Sequence, residues 1–442
     1  MRTNTKRASL TTHEGARARH IGVLAQLRHS VLSCFLWESE FYEDGAEIGK
    51  RIAELTAQCA PEDVAALAIE AREQMNLRHV PLLLLRELAR HPLIKDRPKL
   101  LSTTMGRVLQ RADEPAEFLA LYWKEKKQPL SKQVKRGLAW SLRRFSEYDL
   151  AKYNRDAAVT PRDVLFMTHA RPKDEAQAGL WKKLAANELA TPDTWEVQLS
   201  AGADKKETFE RLIREKKLGY FALIRNLRNM VQAGVDVQVV REAILARKGG
   251  AEKLLPFRYI AAARHAKLFE PELDTAMQAS LSELPKLPGT TIVLVDNSGS
   301  MSAQLSRKSE MTRSDAAAGV AIVARGVCKS VRVFVFSDNC VEVAPRAGMA
   351  LRDVIHTATR KGSTQLGAAV KMVSDLPHDR LIVITDEQSA DRVPEPKGLG
   401  YMINVASNHN GVGYGKWLHV DGWSDAVVRF ICERERMDSV IE

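Results

Sequence analysis

The residues best suited to chemistry lie in TTIVLVDNSGSM, Thr290 to Met301. A continuous β-branched run from Thr291 to Val295 ends in Asp296, and the chain leaves it carrying Ser298 and Ser300. These oxygen-bearing side chains stand at i, i+2 and i+4 on a loop after a strand that reads as buried on both faces. At the C-terminal edge of a parallel strand, where open α/β sheets bind ligands, they can converge on one hard cation. Two further stretches supply more oxygen. Gly362-Ser363-Thr364 adds a hydroxyl in a loop opening a helix, and RLIVITD (Arg380 to Asp386) is a second buried strand ending in Asp. Such a set suits Mg2+ or another divalent cation, which takes neutral hydroxyls beside one or two carboxylates and keeps several waters. Two carboxylates leave no surplus negative charge on a dication, so an open coordination position would attract an acidic group from a partner. The D-x-S-x-S triplet by itself equally suits turn residues that cap a helix.

A different chemistry is offered between Lys132 and Lys173, where basic and aromatic side chains interleave. In SKQVKRGLAWSLRR (Ser131 to Arg144) the apolar residues Val134, Leu138, Trp140 and Leu142 form no tidy single face. Lys132, Lys135, Arg136, Arg143 and Arg144 must nevertheless lie largely outside the core, because burying unpaired cations is costly. Thr160-Pro161-Arg162-Asp163 opens a helix that ends near Met167, and His169 follows in a loop with Arg171, Pro172 and Lys173. A histidine there can stack on a base or donate to a phosphate while the cations neutralise the backbone. A histidine satisfied by a local carbonyl is the alternative.

The charge balance points the same way. The chain has 442 residues and a net charge of +11. Met1 to Pro288 holds 48 Lys and Arg against 37 Asp and Glu, a surplus of 11, whereas Gly289 to Glu442 holds 18 of each. Excess base confined to one part of the chain argues for a polyanionic partner there, nucleic acid before membrane surface, the alternative being a solubility charge with no partner. No run approaches a membrane-spanning length, and the basic N-terminus has no apolar region of a secretory signal. The five cysteines (Cys34, Cys59, Cys328, Cys340, Cys432) are scattered, without C-x-x-C, so neither a zinc site nor a disulfide framework is expected, and a reducing cytoplasm is the natural compartment.

The elements that must position these residues fall into two patterns. From residue 20 to 285 the chain reads as successive helices with short links marked by Pro or Gly, which favours antiparallel neighbours in a solenoid or ring of helical hairpins. The expected helices include His20–Trp37, Gly45–Cys59, Pro61–Ala71, His79–Arg90, Pro98–Arg111, Pro115–Lys126, Ser131–Phe145, Asp174–Glu188, Lys205–Leu212, Gly219–Gln232, Val237–Arg247, Pro256–Phe269 and Pro271–Leu284. LPKLPG (Leu284 to Gly289) reads as a stiff boundary. Beyond it strands and helices alternate: strands at Val331–Phe336, Cys340–Ala344 (an edge), Leu381–Thr385, Tyr401–Val405 and Lys416–Val420, with a closing helix at Ser424–Arg434. That pattern predicts a doubly wound, mostly parallel sheet.

On D-N-S-G-S, the Thr364 loop and RLIVITD, the C-terminal part resembles the von Willebrand factor A domain with its metal-ion-dependent adhesion site. The resemblance implies Asp296, Ser298, Ser300, Thr364 and Asp386 as metal ligands. The helical part resembles the TROVE module of the Ro ribonucleoprotein family, on RHVPLLLLRELARHP, LAKYNRDAAVTPRDVLFMTHARPK, TWEVQLSAGADKKETFERLI, KLGYFALIRNLRNM and LPFRYIAAARHA. The implied architecture is a flexible basic arm (1–14), a ring of HEAT-like helical repeats (15–284), a linker (285–289) and an A domain (290–442), in a monomeric ring. The implied function is an RNA scaffold without catalysis. Members bind small non-coding Y RNAs on the outer surface and single-stranded 3′ ends of misfolded RNA in the central hole, and bacterial members tether an exoribonuclease, polynucleotide phosphorylase. His169 and Lys152 are the positions that match the family's RNA-binding motifs; Lys135, Arg136, Arg155 and Arg171 are added on charge. Asp156 and Gln365 depart from the family's pattern. Two other readings remain: an adhesion-type protein-interaction module with the helical ring as spacer, and a Mg2+-dependent phosphotransferase using Asp296. The latter is disfavoured because Ser298 stands where a second acid would be needed.

Overall fold

The structure, a computed structural model, describes residues 23–32, 45–75, 77–154, 157–248, 250–251, 254, 256–284, 286–305, 311–406, 415–421, 427, 431 and 435. The expected arm at 1–14, Cys34, Cys432, Arg155 and Asp156 lie outside the described residues, as does most of the closing helix, of which Val427 and Ile431 are described and helical. The chain forms two compact units, one of residues 49–217 and the other of 1–48 with 218–442.

The helices run α1 Val23–Leu32, α2 Gly45–Thr56, α3 Pro61–Glu73, α4 His79–Arg90, α5 Leu100–Val108, α6 Glu114–Tyr122, α7 Lys132–Leu142, α8 Glu147–Tyr153, α9 Pro161–Thr168, α10 Glu175–Ala186, α11 Trp195–Ser200 and α12 Lys205–Arg214. Within the 49–217 unit neighbouring helices pack as hairpins and stacked layers, α3 on α4 and α5, α5 on α7, and α7 on α9. Their starts are written in the sequence. Ser146 with Asp149, and Thr160 with Asp163, each close a reciprocal capping box, and Pro161 occupies the first turn where its missing N–H costs nothing. In α4 Leu82, Leu83, Leu84, Leu85 and Leu88 are all buried, so this helix is central to its layer.

In the other unit come α13 Tyr220–Arg225, α14 Leu227–Gln232, α15 Val237–Ala246, α16 Pro256–His265 and α17 Glu270–Ser282. The single helix expected over 219–232 is interrupted at Asn226. This residue is 2% exposed, and its Nδ2 donates to Ala222 O at 2.9 Å, taking up a carbonyl of the helix it ends. The short α11, capped by Thr194, was not expected. Helices α16 and α17 pack against the first long helix of the sheet region, α18 Arg313–Val327, and α17 also meets α19 Gly348–Thr357.

The sheet has strands β1 Leu287–Asp296, β2 Cys328–Phe336, β3 Cys340–Glu342, β4 Arg380–Thr385, β5 Leu399–Asn404 and β6 Trp417–Asp421, in the order β3-β2-β1-β4-β5-β6. Only β3 is antiparallel, at the edge, as its shortness foretold. β1 begins inside the expected linker: Leu287 pairs with Cys328, and the register shifts before Thr290. Alternate residues of the central strands, Ile292, Leu294, Leu381, Val383 and Met402, form one core with Leu366, Val370 and Val373 of α20 Leu366–Ser374. Each fully buried aliphatic side chain there stabilises by about 1.5–3 kcal/mol. α18 covers β1, β2 and β4, and α1 lies on the edge strand β6.

Candidate metal centre and nucleic-acid interface

β1 and β4 are parallel neighbours with Val295 opposite Ile384, so Asp296 and Asp386 leave the sheet side by side at its C-terminal edge. Both carboxylates are 0% exposed, while Ser298 and Thr364 are buried and Ser300 is half-buried. Asp296 accepts from the Ser298 backbone N–H at 2.8 Å and from the Thr385 hydroxyl at 2.6 Å. The hydroxyls of Ser298 and Ser300 lie 3.3 Å apart. Thr364 enters through backbone links: Gly299 N–H donates to Gly362 O (2.9 Å) and Ala390 N–H to Thr364 O (3.0 Å). Asp391 accepts from the Gly367 and Ala368 N–H groups at 2.7 Å each, which fixes the start of α20 behind that loop. Segments separated by ninety residues are thus tied together at one edge of the sheet.

The donors suit a hard cation and little else. They are all oxygen, and among the described residues no group of three or more His, Cys, Asp or Glu could hold a metal, so the hydroxyls would have to share in any coordination. Burial first, and then the neighbouring Asp386 charge, pushes the Asp296 carboxyl up to about 7. A cation between the two carboxylates would relieve that repulsion.

The residue that sequence reading missed here is Arg313, the first of α18. It is 1% exposed, and its Nη1 donates to Asp386 Oδ2 at 3.1 Å. The Thr312–Asp315 capping box and a bond from Arg313 N–H to Ala303 O (2.9 Å) hold it in place. The expected balance of two carboxylates against one dication therefore needs correction: with Arg313 included, the metal-bound site would carry one net positive charge. Thr385, whose hydroxyl holds Asp296, and Glu387, whose carboxylate meets the buried His419, were also not singled out. Glu387 sits at φ 58, in the left-handed region, just after Asp386. A Thr immediately before the second strand-end Asp was the one available signal; nothing local marked Arg313.

The second candidate surface belongs to the 49–217 unit. His169 ends α9 in the left-handed region, at φ 49 and ψ 43, and is exposed. Among the described residues its ring makes no hydrogen bond, so the satisfied-histidine alternative does not hold. Its loop is held from both sides. Arg143 Nε and Nη2 donate to Arg171 O at 3.1 and 3.0 Å, Gln177 Nε2 donates to Arg143 O at 2.9 Å, and Lys173 N–H donates to Gln177 Oε1 at 3.0 Å. Arg171 and Arg136 are exposed and Lys135 is half-buried on α7. Lys152 Nζ lies 5.8 and 5.7 Å from the ring centres of Tyr148 and Tyr153.

Aromatic rings at this surface were not picked out as ligands from the sequence. Trp140 is 51%, Tyr148 49% and Phe166 54% exposed, and Arg162 lies 5.7 Å over the Phe166 ring. Trp140 rests on α5 because Gly106 has no side chain: a Cβ there would come within 2.6 Å of the indole. The signal existed, since Trp140 does not fit the buried stripe of Val134, Leu138 and Leu142.

Comparison with known proteins finds a family match in each part. The model of the TROVE domain matches residues 165–267, and that of the von Willebrand factor type A domain matches residues 291–388. The chain thus carries a TROVE match followed by a von Willebrand factor type A match. Telomerase protein component 1 of Mus musculus is 26% identical over 245 residues, 51% of this chain and 9% of that protein. Its Rattus norvegicus counterpart is 31% identical over 114 residues, 25% of this chain and 4% of that protein. The chain thus spans less than a tenth of the curated relatives it matches. The crystal structure of Deinococcus radiodurans Ro (RSR) protein has a TM-score of 0.65 at 16% identity, covering 92% of this chain and 98% of its own. That likeness is one of fold: a Ro-like helical region followed by an A-type α/β region.

Proposed function

We propose that the chain is an RNA-binding scaffold of a Ro-type ribonucleoprotein, with its TROVE region over 15–284 and its A domain over 290–442, acting in the cytoplasm without catalysis of its own. The observation that carries this reading is the exposed histidine on a clamped loop after α9, which packs on α7, with cations and half-exposed aromatic rings on α7, α8 and α9 of the same unit. Cations answer phosphates, and rings answer unpaired bases. The RNAs proposed are small structured non-coding RNAs of the Y type and single-stranded 3′ ends of misfolded RNA. An exoribonuclease such as polynucleotide phosphorylase would be recruited through the bound RNA. Gel-shift titration at fixed salt tests it. The His169→Ala, Lys152→Ala double variant should bind a structured small RNA at least tenfold more weakly with its melting temperature unchanged. Unchanged affinity would overturn the site.

At the sheet edge the same reading includes a divalent cation, Mg2+ first, held by Asp296, Asp386, Ser298, Ser300 and Thr364. When bound, it would supply a Lewis-acidic open position for an oxygen of a partner. The chain's own part is to converge the donors and to add the Arg313 charge beside them. A metal-dependent protein-interaction module is the second reading, favoured by this buried oxygen set.

A further inference from the structure

Many arginines of the helical region are answered by acids. Arg72 reaches Glu114, Arg107 reaches Glu73, Arg211 reaches Asp193, Arg247 reaches Glu283 and Arg264 reaches Asp315. On the face shared by α13 and α16 this pairing stops. Arg258 of α16 lies 5.4 Å over the ring of Phe221 and 5.0 Å over that of Phe257, and among the described residues neither it nor Arg225 pairs with a carboxylate. Phe221 and Arg225 stand at i and i+4 on α13, so the second guanidinium rises from the same face as the ring that carries the first. Arg258 and Arg225 are both exposed, and Phe221 is 47% exposed. Although the residue as a whole is exposed, desolvation of its guanidinium against the two rings, and then the Arg225 charge, pulls Arg258 below the usual arginine pKa.

Two like charges placed together without an acid repel each other, and an anion between them would relieve it. The stacked guanidinium is also pre-organised. Its plane is set by the rings, and its N–H fork remains available for two-pronged recognition of a phosphate. A carboxylate partner would be met equally by a single ion pair of the kind found elsewhere in this region. Paired cations beside a half-exposed ring match a nucleic-acid backbone better, where phosphates recur next to stackable bases.

We infer that Arg225 and Arg258, with Phe221 beneath Arg258, form a contact for the phosphate backbone of single-stranded RNA, in a different compact unit from the His169 loop. The inference rests on the RNA-binding reading and adds a site to it. Fluorescence anisotropy of the full chain with a labelled oligouridylate, across a salt series, provides the test. Arg225→Ala and Arg258→Ala should each weaken binding about tenfold. Each should also lower the slope of log affinity against log salt by about 0.7, the value for one phosphate contact on a single strand. Arg258→Lys, which keeps the charge but not the stacked fork, should fall between wild type and Ala. Both side chains are exposed, so melting temperatures should hold. Wild-type affinity and slope in the variants, with RNA binding still lost in His169→Ala, Lys152→Ala, would overturn this contact and leave the broader reading standing. A wild-type chain that binds no oligouridylate would remove both. Loss of polyglutamate binding with RNA binding intact would overturn the RNA assignment in favour of an acidic protein.

Discussion

The oxygen-lined end of the sheet and the basic face of α7–α9 are built on opposite plans. At the sheet edge, Asp296, Arg313, Thr364 and Asp386 come from four separate segments; Asp296 is held by Ser298 and Thr385, Asp386 by Arg313, and Thr364 by a backbone bond from Ala390. On the basic face, Lys135 and Arg136 on α7, Lys152 on α8 and Arg171 in the loop after α9 are not bonded to one another. A convergent buried site transmits every change to its neighbours. A presented surface adds its contributions nearly independently. Substitutions at the first should therefore alter stability and ligand affinity together, and those at the second affinity alone.

The sharpest way to break this contrast is Arg313→Met. Removing one partner of a buried pair strands the other, so in metal-free buffer urea unfolding should show a loss of about 3–5 kcal/mol. Mg2+ should restore part of it, because a dication can take over the charge of Asp386. A loss below about 0.5 kcal/mol would mean that the pair is not structural.

Asp296→Asn comes next. It should lower Mn2+ affinity by about a hundredfold in calorimetry, about 2.7 kcal/mol. It should also change the pH dependence. The folded-state pKa of Asp296 is raised above its unfolded value, so the folded state binds the proton more tightly. Its stabilising contribution is full below the usual carboxylate range and is lost as pH rises through about 7. In EDTA the wild-type chain should therefore lose stability relative to Asp296→Asn between about pH 4 and pH 7, and saturating Mg2+ should cancel the difference. A difference of the opposite sign would refute the burial argument.

On the presented surface, Trp140→Ala should weaken single-stranded RNA binding by about 1–3 kcal/mol, the usual worth of one stacked base. Structured RNA should be affected less. The smallest effect should be that of Lys152→Ala alone: a slightly lower affinity and a salt slope reduced by about 0.7–0.9, one phosphate contact, with melting unchanged. A drop in melting temperature in Lys152→Ala would mean that its position between the Tyr148 and Tyr153 rings is structural.

How much of this was legible before the fold was known differs between the same two regions. D-x-S-x-S and the strand-end Asp386 announced an oxygen site, because loop spacing and strand termination are local properties. Arg313 was invisible. An arginine at the start of a capped helix normally reads as solvated, and only the packing of α18 over β1 and β4 places it beside Asp386. On the basic face the reverse holds. Arg136 and Lys135 were read as lying outside the core, since burial of unpaired charge is costly, and they are exposed and half-buried; Trp140 and Phe166 were not recognised as surface rings because apolar side chains default to the core.

The sequence by itself determined the order of helices and strands, through caps, prolines and periodicity, and it placed the charge surplus in the helical part. It misjudged the continuity of α13 and α14, since a buried Asn226 ends a helix only when its neighbours leave no water to bind it. What only the tertiary structure decided is which side chains meet: Arg313 with Asp386, Glu387 with His419, Arg258 with Phe221. The physical reason is range. Caps and turns are settled within four residues of the chain, whereas a buried charge takes whatever partner the packing of distant elements brings within reach.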